Sequence, residues 1–392
     1  MRARPARKRW LAALATITMV SVAGLAIADD ASVGFAAEPG PGIVPPDPLY
    51  VADPSAGDSF AAMPIGLGAG LEKPWPRWFA GASGLIMTRT LPSGAATMQP
   101  EAGMALNTSD TGANWPGGVD LHLGRWFGLS QQHAVELIYW GVYELGGSAR
   151  VASASGGIDA IPQAPGATVS GQPAATYLTN LQAQQINRTD VINDVEINWV
   201  YSLWDRPEFL PRERAVNLMW LVGFRFFEVN DQLSLQNGTG DATIGGLNFD
   251  VATNNNIYGA QVGAKVDWRV LERVRLAIVP KFMIGGNAIT NTSTLEQPDG
   301  TDAVFVADGS PVKVHSTLGV FSWLGSVDTG VAWDVTDRWT LSMGYRVVGV
   351  GNIAQADGQW PPVISSPDSL SGIAAGSSTI VHGGFAGFEG RY

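Results

Sequence analysis

The chain has 392 residues, 45% of them hydrophobic and 15% charged, with 48 glycines, no cysteine and a formal net charge of −11. Without cysteine there is no disulfide framework, no thiolate metal site and no cysteine nucleophile. The acidic balance argues against nucleic acid as a partner, and beyond the N-terminus no apolar run reaches the ~18 residues of a membrane-spanning helix.

Residues 1–28 read as a signal peptide. Arg2, Arg4, Arg7, Lys8 and Arg9 form a basic start, Leu11 to Leu25 an apolar core, and Ala26-Ile27-Ala28 an A-x-A cleavage site. An uncleaved membrane anchor is the competing reading. Cleavage would remove basic residues and no acidic one, so the mature chain is more acidic still. Residues 29–75 are rich in Pro, Gly and Ala, with EPGPGIVPPDP at Glu38 to Pro48. Such composition builds no core, and the stretch reads as a periplasmic linker or plug.

Residues 76–392 read as a β-barrel. The clearest unit is Asn256 to Gly286. Tyr258, Ala260, Val262, Ala264, Val266 and Trp268 alternate with Gly259, Gln261, Gly263, Lys265, Asp267 and Arg269. Period two with one apolar and one polar face is a strand whose sides meet different media. After a turn at Val270 to Arg273 the pattern resumes to Ile284. Each run is near the ~9–11 residues with which a tilted strand crosses a bilayer. Pro280 sits mid-run and lacks an N–H, so a local defect or bulge is expected there.

The same unit recurs along the chain. The other runs are Trp78 to Thr90, Gly118 to Phe127, His133 to Glu144, Val191 to Leu203, Ala215 to Phe227, Phe321 to Val335, Trp339 to Val348 and Thr379 to Tyr392. Short connections (Gly128–Gln132, Trp204–Arg214, Val270–Arg273, Thr336–Arg338) alternate with long ones. The long ones are Leu91–Gly117, Leu145–Asp190, Glu228–Asn255, Asn287–Val320 and Gly349–Ser378, filled with Gly, Ser, Asn, Thr and Pro. Loops above ~15 residues are uncommon in compact soluble domains. Short turns at one end and long loops at the other are the layout of a bacterial outer-membrane barrel. The expected fold is all-β: a transmembrane, antiparallel, up-and-down barrel of about ten strands, with twelve as the alternative count. The first strand must pair with the last, because hydrocarbon tolerates no open edge.

Turning the apolar face to lipid puts Asp120, His122, Glu136, Asp194, Glu196, Arg225, Lys265, Asp267, Arg275, Lys281, Asp328 and Arg346 in the lumen. These are the candidate pore-lining residues. The short turns set opposite charges against each other: Asp267 with Arg275, Asp328 with Arg346, and Arg225 with Asp194 and Glu196. Two readings stay open. One is a structural ion-pair network filling a narrow barrel; the other is a charged eyelet that selects solutes.

Catalytic signatures are missing. The sequence holds four histidines, His122, His133, His315 and His382. Only His315 falls in a long loop, and no nucleophile or carboxylate partner can be assigned to it. G-x-S-x-G, H-E-x-x-H and GxxxxGK[ST] do not occur, and the Gly66–Gly70 run follows no strand. Asp299, Asp302 and Asp308 read as a solvated acidic loop rather than a Ca²⁺ site. No enzyme, cofactor or metal site is expected.

Four stretches carry a resemblance. They are VDLHLGRWF (Val119 to Phe127), LVGFRFFEVNDQLSL (Leu221 to Leu235), NNNIYGAQVGAKVDW (Asn254 to Trp268) and DVTDRWTLSMGYRVVGVGN (Asp334 to Asn352), with His382-Gly383 in the final strand. Together they resemble a β-barrel porin family abundant in planctomycetes. The resemblance covers nearly all of Trp78 to Tyr392. It implies an outer-membrane location and a transport or structural role, and it supplies no assigned site residues. This chain departs from the family in having Gly351-Asn352-Ile353-Ala354-Gln355 where an R-P-G usually follows the Gly-Tyr strand.

The functional expectation is a porin-like channel for passive diffusion of small solutes or ions. The alternative is a non-conducting structural or adhesive outer-membrane protein that acts through its surface loops. Outer-membrane lipid is the expected surrounding, and a homo-oligomer is possible.

Overall fold

A computed structural model describes residues 76–99, 104–128, 130–154, 156–204, 215–238 and 246–392. The signal peptide and linker read at residues 1–28 and 29–75 lie outside the described residues. Ten long strands form the wall: β1 (Trp78–Arg89), β2 (Gly117–Phe127), β3 (His133–Leu145), β4 (Ala183–Ser202), β5 (Val216–Gly238), β6 (Asn248–Leu271), β7 (Val274–Glu296), β8 (Lys313–Asp334), β9 (Trp339–Ala354) and β10 (Ala375–Arg391). Each pairs antiparallel with its neighbours in sequence. β1 and β10 close the ring from Phe79↔Arg391 to Arg89↔Val381. The barrel is therefore ten-stranded and up-and-down, with no open edge through its middle.

Alternation sorts side chains between two media. On β2, Val119, Leu121 and Leu123 are exposed on the outside, whereas Asp120 is buried inside. Trp78, Trp199, Trp220, Trp268, Trp333 and Trp339 stand exposed on the outside near the short-turn end. That ring is the aromatic girdle of a membrane interface. The lipid-facing band continues upward through Phe224, Val262, Phe282 and Val347.

The strands run further than the sequence pattern suggests. β4 to β8 are 20 to 24 residues long, because they continue into segments read above as long loops. Their outward residues there are polar: Asn230, Gln232 and Ser234 on β5, and Asn248, Asp250 and Asn254 on β6. Their inward residues include the apolar Leu233, Leu235, Phe249, Val251 and Leu295, all fully buried, beside the buried polar Asp231, Thr253 and Asn255. The polarity of the two faces has been exchanged. Below the exchange the wall is lipid-facing; above it the wall is an ordinary water-soluble sheet with its core inside.

Described residues of the long connections fold into that core. Met98, Leu106, Ile158, Tyr177, Phe305 and Trp360 pack with the inward residues of β4 to β7 in a single cluster. Trp360 meets Phe249 edge-on at 4.9 Å. A strand at Ser148–Ala152 adds to β4, and Ala167–Val169, Gln172–Pro173 and Val304–Phe305 make a small separate sheet. The described parts of the long connections thus form a packed cap rather than open loops.

Candidate functional site

The lumen is built in layers. At the short-turn end lies a cavity of about 200 Å³ whose lining includes Phe79, His122, Lys265, Asp267, Arg275 and Glu389. Directly above is a second of about 220 Å³, which shares Phe79, His122, Glu136, Lys265 and Glu389 and reaches Asp120, Lys281, Asp328 and Arg346.

All twelve candidate residues project into the barrel, and each has an opposite charge close by. Arg346 pairs with Asp328 at 2.8 Å and with Asp120 at 2.8 Å. Arg225 meets Asp194 at 2.7 Å and Glu196 at 3.7 Å. Lys281 donates to both oxygens of Glu196, at 3.0 and 2.8 Å, and Lys265 donates to Glu136. Arg275 reaches Asp267 at 3.6 Å and Asp334 at 3.2 Å. His122 meets Glu389 at 3.1 Å.

The register matches the charges. Asp328 stands opposite Arg346, and Glu196 opposite Arg225. At the β6–β7 turn a register shift between Val274 and Arg275 sets Asp267 against Ala277 instead, and the long Arg275 side chain makes up the offset. Several pairs span the lumen: Glu136 of β3 with Lys265 of β6, Glu196 of β4 with Lys281 of β7, and Asp120 of β2 with Arg346 of β9. Arg225 of β5 also donates to Ser326 of β8 at 3.2 Å. Removing charge from water is costly unless it is paired, and these pairs tie opposite walls together.

Above the charged layer comes an apolar one. Leu85, Met87, Trp140, Val142, Leu145, Ile192, Phe227, Val229, Ile257, Met283, Leu324, Val348, Val350, Ile353 and Val381 form one cluster, each at most 2% exposed. They come from every strand except β2. These side chains are shut off from water all round the ring, so the lumen is closed at this height.

A second ionic cluster lies above that layer, and the sequence reading missed it. Arg89 meets Asp190 at 2.8 Å and Asp231 at 3.2 Å, and Arg188 meets Asp231 at 3.3 Å. Arg188 also pairs with Asp357, which accepts from Thr108. Arg188, Asp190, Asp231, Asp357 and Thr108 lie in segments read as long loops. The available signal was the Arg89, Arg188 and Asp231 alternation continuing past the apolar runs. Asp231 is held below the usual carboxylate range by Arg89, Arg188 and the Ala356 N–H, although burial opposes this. Asp190 is pushed well above it by burial and by the Asp231 charge opposite.

With this architecture in place, the family description "Putative beta barrel porin-7 (BBP7)" matches residues 85–377. The chain belongs to that family. It is an outer-membrane β-barrel. Among solved structures, the outer membrane protease OmpT from Escherichia coli is similar at 12% identity and a TM-score of 0.44, over 81% of this chain and 97% of that one. A major outer membrane protein from Thermus thermophilus has 9% identity and a TM-score of 0.30, over 79% and 99%. The translocator domain of the autotransporter NalP from Neisseria meningitidis has 10% and 0.32, over 82% and 91%. No curated protein matches the chain.

The four histidines of this porin-7 barrel are scattered. His122 is lumenal. His133 stacks on Tyr201 at the short-turn rim. His382 bonds to Tyr345 on the outer wall at 2.6 Å, and His315 bonds to Thr292 at 3.1 Å. No two of them converge, and His315, the rim candidate, meets a threonine rather than a carboxylate.

Proposed function

We propose that this porin-7 barrel is a non-conducting outer-membrane protein that presents a folded cap at the cell surface. The observation that carries the reading is the apolar layer across the lumen, drawn from nine of the ten strands and excluded from water. A diffusion pathway needs a wetted lumen; a ten-stranded barrel is narrow enough to be filled by its own side chains. The charged layer beneath then acts as bracing, since its ions pair with each other across the lumen. The long connections lie outside the cell in this reading, and the packed cap is the surface through which the protein acts.

The porin reading keeps one observation in its favour. The lower lumen is hollow, with cavities of about 200 and 220 Å³ lined by both signs of charge. Planar-bilayer recording separates the two. Folded protein, verified by heat-modifiable gel migration, is expected to give no unitary steps. Stable openings whose ion selectivity changes in Arg225→Glu would establish the channel instead.

Export through a cleaved signal peptide at residues 1–28 belongs to the same proposal. N-terminal sequencing of the mature protein is expected to begin at Asp29; a sequence beginning before Leu11 would overturn it.

A further inference from the structure

β8 outruns one of its neighbours. It pairs with β7 from Val274↔Trp333 up to Thr294↔Lys313, but with β9 only from Asp334↔Thr340 up to Trp323↔Gly351. Above that rung β9 is drawn inward, where the Ala354 N–H and C=O bond the buried Asn255 side chain of β6 at 2.8 and 2.7 Å. No described residue pairs with the other edge of Lys313–Val320.

The free backbone groups can be assigned. Asn352 Nδ2 donates to the Phe321 carbonyl at 3.1 Å, so the Phe321 backbone faces β9. The Val312 carbonyl instead accepts from Leu295 of β7. Successive residues of a strand turn their backbone groups to opposite sides. The N–H and C=O of His315, Thr317 and Gly319 therefore lie on the unpaired edge, and all three residues are exposed. A Cβ at Gly319 would meet nothing within 4 Å. The inward row is short of a neighbour as well. Val314, Ser316 and Leu318 stand opposite Ser293, Asn291 and Ile289 of β7. Those three, with a strand on each side, are at most 1% exposed, whereas Leu318 is 36% exposed. Natural sheets blunt an edge with charge, proline or a bulge. This one has Lys313 alone, at its outer end, exposed and with no ion-pair partner among the described residues.

We propose that this edge binds an extended peptide segment of a partner protein outside the cell, added as a further strand beside β8. The occupant is specified by the groups it must meet. They are a main-chain donor and acceptor at every second residue, the uncovered Leu318, and the Lys313 ammonium. The segment accordingly carries apolar side chains on alternate residues and a carboxylate near the Lys313 end. In strand addition the main-chain bonds give affinity and the alternating side chains give specificity. A second copy does not fit. Two barrels in one membrane point their β8 strands the same way, and identical edges brought together about an axis along the membrane normal set N–H against N–H. The proposal rests on the reading of the cap as the cell-surface face but not on a closed lumen, so a channel recorded in bilayers would leave it standing.

The probe is a fluorescein-labelled decapeptide of alternating valine and threonine with a glutamate at each end, added to the full protein in nanodiscs. Its anisotropy is expected to saturate. Two N-methylated versions, each blocked at alternate residues, separate strand addition from simple adhesion on the parent protein. One should lose binding and the other keep it, because only one set of N–H groups faces β8. Thr317→Pro removes an edge donor and leaves the β7 ladder alone, as proline on an edge strand can. It should weaken the probe by about tenfold or more while the heat-modifiable band persists. A probe that never saturates would remove the site. An equal effect of the two methylation patterns, or unchanged binding in a folded Thr317→Pro protein, would overturn strand addition. Sedimentation as a dimer that Thr317→Pro dissolves would assign the edge to a second copy instead.

Discussion

Arg225 shows what a single lumenal residue carries. Its guanidinium is buried and binds Asp194, Glu196 and Ser326 on two different walls. Arg225→Met leaves Asp194 without its main counter-charge, and removing one partner of a buried pair costs about 3–5 kcal/mol. The folded, heat-modifiable band is therefore expected to lose urea resistance sharply. Arg225→Met combined with Asp194→Asn should recover part of the loss; equal loss in both would show that the pairing is not what matters. Asp190 gives a pH dependence. Its pKa is raised in the folded state. The stability it contributes is then complete below the ordinary aspartate value near 3.8, and is lost as pH rises through the raised value. Asp190→Asn keeps the neutral form at every pH. Its melting temperature should stay flat with rising pH over the range where the parent's falls, and a parallel fall in both would refute the assignment. Residue-level legibility follows the same division. Asp328, Arg346, Glu196 and Arg225 were readable because short turns fix register. Arg188 and Asp231 were not, because they lie on extensions of β4 and β5 that read as loops, and Asp357 was not, because it reaches them only through the cap.

At the level of the strand, β6 crosses two media along one unbroken alternation. Its outward residues pass from Asn248, Asp250 and Asn254 to Tyr258, Val262 and Trp268; its inward ones pass from Phe249 and Val251 to Gln261 and Lys265. Periodicity alone locates the strand but not which face is wet. The upper half of β6 looked like a loop because the apolar residues there are sparse and the polar ones are Asn and Thr. The same strand offers an internal comparison. Val262→Arg puts a cation against lipid, which costs about 2–4 kcal/mol at the midplane. Asn254→Arg, on the same face and above the band, should change stability by less than about 0.5 kcal/mol, as ordinary surface substitutions do. Urea midpoints in the same lipid measure both, and comparable losses would mean the band is wrongly placed. Phe249→Ala removes the ring that meets Trp360. A buried Phe→Ala change costs about 3–5 kcal/mol, and here it falls on the cap. Limited proteolysis should then cut within 355–374 while the barrel keeps its folded migration.

Over the whole molecule, topology was the most legible property. An even number of runs, alternating short and long connections, and the need to close an edge together point to a ring of about ten strands, with twelve as the alternative count; the structure has ten, and β1 does pair with β10. What fills the ring was less legible. A packed lumen and a charged eyelet call for the same inward charges, and they differ only in whether something closes the passage elsewhere. The structure closes it twice, with the apolar layer at Trp140 and Phe227 and with the cap core at Phe249 and Trp360. Two seals in series behave like two resistors in series: the tighter one sets the current. Trp140→Ala with Phe227→Ala removes the rings that meet at 5.9 Å in the lower seal, yet the cap still stands over it. Bilayers holding that variant should remain silent. Phe249→Ala with Trp360→Ala loosens the upper seal alone and should be silent as well. Only the fourfold variant is expected to show unitary steps. Steps in either double variant would mean that one layer was never a seal. Silence in a correctly folded fourfold variant would mean that the ion pairs below, such as Lys281 with Glu196, close the lumen by themselves.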